Sequence, residues 1–181
     1  VPLVPEGLPI GGPTAVGVGQ PGPASRAGRA MGVLVLVGHP PSIADMSSDA
    51  PDSGPPIVVR DATPADLPAM AAIYDDQVRT SLATFDTEPR GAAYLGEKLA
   101  ATGAGNVVLV ACIDGELLGY AFSGPFRPRP AYDGTKEVSV YLAEGARGRG
   151  LGRTLYAALL ARLDAAPEVH TQVAVIALPN D

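Results

Sequence analysis

The order of apolar periodicities along this chain, β-α-α-β-β-β-α-β, predicts an α/β (α+β) fold in which a mixed sheet is covered by helices. Three observations carry that prediction. A helix start is written at Thr63-Pro64-Ala65-Asp66, a hairpin at Asp114-Gly115, and a glycine- and arginine-rich turn separates a strand from an amphipathic helix at residues 143–153.

Each element has a local cause. Ile57–Arg60 reads as a short strand. Thr63 then suits an N-cap, Pro64 the first helical position, and Asp66 the positive end of the helix dipole. Leu67, Met70, Ala71, Ile73 and Tyr74 follow with helical spacing. A second helix is expected from Arg90 to Thr102, with Tyr94, Leu95 and Leu99 inward and Gly103 ending it. Val107–Ile113 and Glu116–Ser123 flank the Asp-Gly pair, a strong two-residue hairpin signal. The proline-rich run Gly124–Pro130 is a loop, Glu137–Leu142 a strand, and Gly150–Leu163 a helix with Leu151, Leu155, Leu159, Leu160 and Leu163 apolar. Thr171–Ala177 is a last strand.

Residues 1–56 differ in composition from the rest. They hold more than half of the chain's 19 prolines and almost half of its 22 glycines, with few charges. A segment of that kind buries too little surface to offset its ordering entropy, so it is read as a disordered Pro/Gly/Ala-rich leader. Met31 and Met46 lie downstream of a first residue that is Val, so one alternative is a translation start at Met46 with the leader untranslated. The domain is then 57–181.

Composition also bounds function. A net charge of −6 over 181 residues argues against broad nucleic-acid or anionic-membrane binding, though not against a local basic pocket. The single cysteine, Cys112, excludes an intramolecular disulfide, and His39 and His170 are too far apart for zinc-type spacing, so no metal is expected. The apolar run Val33–Val37 is far too short to span a bilayer. These features fit a soluble cytoplasmic protein. Cys112 reads as a small buried hydrophobe, and Asp75 and Asp76 as a solvated helix face.

The segment Tyr141–Arg153 is the most informative. Amides at a helix start are unpaired and partly positive, and glycines let a backbone approach phosphate oxygens. Arg147, Arg149 and Arg153 add formal charge beside Gly148, Gly150, Leu151 and Gly152. A P-loop requires Gly-Lys-Ser/Thr where Gly152-Arg153-Thr154 stands, and the dinucleotide fingerprint requires glycine at Arg153. What remains is Arg-x-x-Gly-x-Gly at Arg147, Gly150 and Gly152. Read alone, that motif is equally an ordinary turn with solvated arginines; the flanking strand and helix favour a phosphate cradle.

Further segments agree with it. Ala83–Arg90, Gly124–Tyr132, Glu137–Tyr141 and Val173–Asp181 together with the cradle resemble the GNAT superfamily of acetyl-CoA-dependent N-acetyltransferases, and within it the phosphinothricin and amino-acid N-acetyltransferases. The resemblance covers 57–181 and implies a mostly antiparallel central sheet flanked by helices. It implies acetyl-CoA as cosubstrate, held by Val140 and Leu142 of the strand, by Arg147–Arg153 and by Asn180. It implies Glu137 as general base toward a small-molecule amine, and a backbone N–H of Val140 or Leu142 as donor to the thioester oxygen. Arg129 is assigned the substrate carboxylate, with Arg127 second, because a guanidinium binds such groups in bidentate fashion. Phe85, Phe122 and Tyr132 would shape the amine pocket, with simple packing an equal alternative. Relatives continue past Asp181 with a helix and strands, so the domain is read as truncated, with a catalytically inactive remnant as the alternative function. Relatives are often dimers, which makes a homodimer the expected assembly.

Overall fold

The computed structural model describes the backbone of residues 14–17 and 32–38, and residues 55–178. Asn180, His39 and Met46 lie outside the described residues. Strands β1 (Thr14–Gly17), β2 (Gly32–Gly38), β3 (Val58–Asp61), β4 (Val108–Ile113), β5 (Glu116–Pro125), β6 (Thr135–Leu142) and β7 (Thr171–Leu178) form one sheet in the order β1-β2-β7-β6-β5-β4-β3. All neighbours are antiparallel except β6 and β7. Helices α1 (Leu67–Thr80) and α2 (Gly91–Ala100) cover one face, and α3 (Leu151–Asp164) covers the other.

The expected elements form for the expected reasons. Asp114 and Gly115 take φ of +50° and +83°, the positive values that a two-residue hairpin turn demands. Before α1, the Asp66 carboxylate accepts from the Thr63 amide (2.7 Å) and hydroxyl (2.9 Å), and is bridged by both terminal nitrogens of Arg60 at 2.8 and 2.7 Å. That pairing ties β3 to the helix start and holds the Asp66 carboxyl well below its usual range. Leu151, Leu155, Leu159 and Leu163 are fully buried along one stripe of α3, each contributing about 1.5–3 kcal/mol by removal from water. Strand alternation splits the sheet's side chains between the two layers: Val108, Val110, Tyr120 and Phe122 face α1 and α2, while Leu109, Ala111, Ala121 and Val138 face α3.

Residues 1–56, read from composition as a disordered leader, include β1 and β2, and β2 pairs with β7 from Gly32↔Leu178 to Gly38↔Gln172. The physical reason is the Val33–Val37 run. Composition averaged over residues 1–56 hides a short β-branched segment, and that segment finds a partner more than a hundred residues away. Among the described residues no helix is long and apolar enough to cross a membrane.

Candidate active site

Strand β6 organises the site because its two neighbours treat it differently. On one side it pairs with β5 along its whole length, from Gly119↔Leu142 to Pro125↔Lys136. On the other it pairs with β7 only over Thr135–Glu137, after which the two strands part. Hydrogen bonds from the Phe126 amide to the Thr135 carbonyl (3.3 Å) and from the Ala143 amide to the Leu118 carbonyl (2.9 Å) fix the phase of the β5–β6 ladder. By alternation, the backbone groups of Val138, Val140 and Leu142 point away from β5, toward the side that β7 has vacated. The Leu142 carbonyl there accepts from Gln77 Nε2 at 3.5 Å.

A cleft of about 570 Å³ opens along this edge, lined by Val138–Leu142, by Ala174–Ile176 of β7, and by Gln77, Arg147 and Tyr156. Arg147 is oriented by a hydrogen bond to Gln77 Oε1 at 3.1 Å. At the cleft's end the loop before α3 carries Gly145, Gly148 and Gly150 at φ of +74°, +75° and +80°. A Cβ at Gly145 or Gly148 would meet nothing within 4 Å, so these glycines serve conformation, and leave the loop backbone open to a ligand. Gly150 caps α3, whose first amides lack intrahelical partners. Leu151 is buried, so only its backbone is available to such a ligand, and a Cβ at Gly152 would lie 3.6 Å from Leu142 Cδ1. Arg149 and Arg153 are exposed. An open strand edge, a glycine loop, a helix start and Arg147 fit an extended, phosphate-bearing ligand such as acetyl-CoA.

The odd-numbered side chains of β6 face the other way, toward α1 and α2. Glu137, Ser139 and Tyr141 line a second cavity of about 280 Å³ with Phe122, Tyr94, Lys98, Arg90 and the loop Ala83–Asp86. The two cavities share Ala83, Ser139, Tyr141 and Val175. Glu137 is half-buried; burial raises its carboxyl above the ordinary value, while the charges of Lys98 and then Arg127 pull it back. Burial pushes the Tyr141 hydroxyl up to about 12. Asp86 accepts from Tyr74 Oη at 2.6 Å and pairs with Arg90 at 3.2 Å. Asp75 accepts from the Arg90 and Gly91 amides at 3.0 and 3.2 Å, so α1 caps α2.

The structure therefore brings together Glu137, Phe85 and Phe122 in one cavity, and Val140, Leu142 and Arg147 in the other. Phe85 is 54% exposed and Phe122 is buried. It does not bring Arg129 or Tyr132 into either: both stand on the exposed proline-rich loop, where Tyr132 packs edge-on against Phe126 with centroids 5.6 Å apart. Pro128 and Pro130 keep that loop out of the sheet ladder, and the hydrogen bonds of its short turn stay local. Sequence reasoning missed Lys98, Ser139, Tyr141 and Gln77. The period-2 alternation of β6 could have found Ser139 and Tyr141 from Glu137; nothing local marks Lys98 or Gln77.

Residues 70–180 match the Acetyltransferase (GNAT) family. The chain belongs to that family. Among GNAT relatives it is 47% identical over 111 residues to a phosphinothricin N-acetyltransferase of Alcaligenes faecalis, a match covering 61% of this chain and 55% of the relative. It is 38% identical over 124 residues to an L-methionine sulfoximine/L-methionine sulfone acetyltransferase of Pseudomonas paraeruginosa, covering 67% and 72% of the two chains. The crystal structure of a GNAT superfamily phosphinothricin acetyltransferase from Sinorhizobium meliloti, in complex with acetyl-CoA, superposes with a TM-score of 0.63 at 35% identity over 66% of this chain and 65% of that one. This GNAT chain thus spans little more than half the length of the Alcaligenes relative.

Proposed function

We propose that this chain transfers an acetyl group from acetyl-CoA to the amino group of a small amino acid or analogue such as phosphinothricin. One observation carries the reading: a cleft with an unpaired strand edge and a cavity with a half-buried carboxylate meet at Ser139 and Tyr141 of one strand. The coenzyme supplies an activated acyl carbonyl. The glycine loop and the α3 N-terminus offer amides to its pyrophosphate, with Arg147 alongside. The open edge of β6 offers main-chain bonds to its pantetheine arm, as an added strand would take them.

Chemistry at the junction then follows from β6 itself. The amine must lose a proton to become nucleophilic. Glu137 is the base, and burial raises its carboxyl toward a working pKa. As the amine attacks, negative charge gathers on the carbonyl oxygen, to which the amide of Val140 or Leu142 donates from the open edge of the same strand. Collapse then breaks the C–S bond and releases coenzyme A as its thiolate, which takes a proton from solvent. Phe122, Phe85 and Tyr94 close the amine cavity. Asp86 is not a second base on this reading, because Tyr74 and Arg90 already hold its oxygens.

The test is acetyl transfer by the full chain to phosphinothricin and L-methionine sulfone, with Glu137→Gln beside the wild type. Glu137→Gln is expected to lower kcat about 10²–10⁴-fold while calorimetric titration with acetyl-CoA keeps its affinity. Equal rates for the two proteins would remove Glu137 from the reaction. Wild-type binding of acetyl-CoA without transfer to any amine would remove the catalytic reading.

A further inference from the structure

We propose that Lys98, on α2, receives the substrate's carboxylate, so that the cavity recognises a zwitterion across its width. The proposal rests on the amino-acid acetyltransferase reading and names a residue for which neither motif nor spacing gives a role. Tyr94 and Lys98 are four residues apart and so share one face of α2, the face turned to the cavity. The Lys98 Nζ stands 5.3 Å from the Tyr94 ring centroid and 5.5 Å from that of Phe122. Two ring faces hold an ammonium in place without neutralising it.

The charges lining the cavity sort themselves by partner. Arg90 and Asp86 pair with each other at 3.2 Å. Among the described residues Lys98 makes no ion pair, and it lies beyond 4.0 Å of the Glu137 carboxylate while still lowering that group's pKa through its charge. One anion and one cation are therefore left in the same small cavity, close enough to feel each other and too far apart to bond. An α-amino acid carries the complementary pair: its ammonium goes to Glu137, the group that deprotonates it, and its carboxylate to Lys98. Desolvating an unpaired lysine would oppose binding of a ligand with no anionic group. Arg129, by contrast, is exposed and lines neither cavity, and Arg127 reaches Glu137 only through its charge.

Matched substrates separate this role from a structural one. L-methionine sulfone and its primary carboxamide differ only in the acid group, and both are assayed with the full-length wild type, Lys98→Met, Lys98→Arg and Arg129→Met, each at the plateau of its own pH profile. Lys98→Met is expected to raise KM for the acid roughly tenfold or more, the scale of one charge-assisted hydrogen bond, with a much smaller change for the carboxamide; Lys98→Arg recovers most of the loss. Equal effects on acid and carboxamide overturn the proposal, as does a wild type that does not prefer the acid, or loss of that preference in Arg129→Met rather than in Lys98→Met. Calorimetric binding of L-methionine sulfone in the presence of coenzyme A gives a readout independent of turnover. Binding by the wild type that is lost in Lys98→Met supports the assignment even if no acetyl transfer is seen, whereas no binding by the wild type overturns it.

Discussion

At the scale of single residues, the proposed mechanism rests on how Glu137 is tuned. Its carboxyl is raised by burial and lowered by Lys98 and Arg127; Asp86, Arg90 and Tyr141 line the same cavity. A base acts in its deprotonated form, so kcat/KM falls as pH drops through the Glu137 pKa. That acidic limb is expected above the usual carboxylate range. Removing the Lys98 charge takes away a lowering influence, so in Lys98→Met the limb moves to higher pH; a rate profile in both proteins reads the direction, and a shift to lower pH would contradict it. In the sequence Glu137 was singled out by the resemblance of its strand to the family, not by its position alone. Lys98 was not: it lies almost forty residues earlier on another element, and only packing of α2 over Phe122 brings the two charges to one cavity.

At the scale of elements, β6 and the loop that follows it do most of the positioning. One strand presents Glu137, Ser139 and Tyr141 to the smaller cavity and the edge groups of Val140 and Leu142 to the larger cleft, because side chains and edge groups of a strand point in perpendicular directions. The turn into α3 depends on Gly150 at φ +80°. A β-branched side chain at that angle clashes with its own backbone, a strain of about 1–2 kcal/mol. Gly150→Val is therefore expected to weaken acetyl-CoA binding by tenfold or more, measured by calorimetry. Intact binding would place the pyrophosphate elsewhere. The glycine turn into α3 was readable in advance, since glycine and helix-start signals are local. The widening between β6 and β7 was not, because strand spacing depends on pairing with residues that no local pattern names.

At the scale of the whole molecule, the sheet's β7 edge is met by β2 over Gln172–Leu178. Without that partner, β7 would present a row of free amides and carbonyls beside the cleft it shares with β6, the kind of edge that recruits other chains. Deleting residues 1–38 is expected to convert a monodisperse protein into one that self-associates, as read by light scattering; unchanged hydrodynamic size would show that the edge needs no cover. The sequence by itself determined the order of helices and strands from β3 onward, the Asp114-Gly115 hairpin, the α3 leucine stripe and the glycine turn before it, since each follows from dihedral preference, capping or apolar period within a few residues. Only the tertiary structure decided that a run inside the proline- and glycine-rich leader becomes a sheet strand, that Arg129 and Tyr132 stay outside the cavity that Glu137 lines, and that Lys98 shares that cavity. Those outcomes rest on contacts between residues far apart in the chain, where the area buried and the partner available, rather than local preference, choose the arrangement.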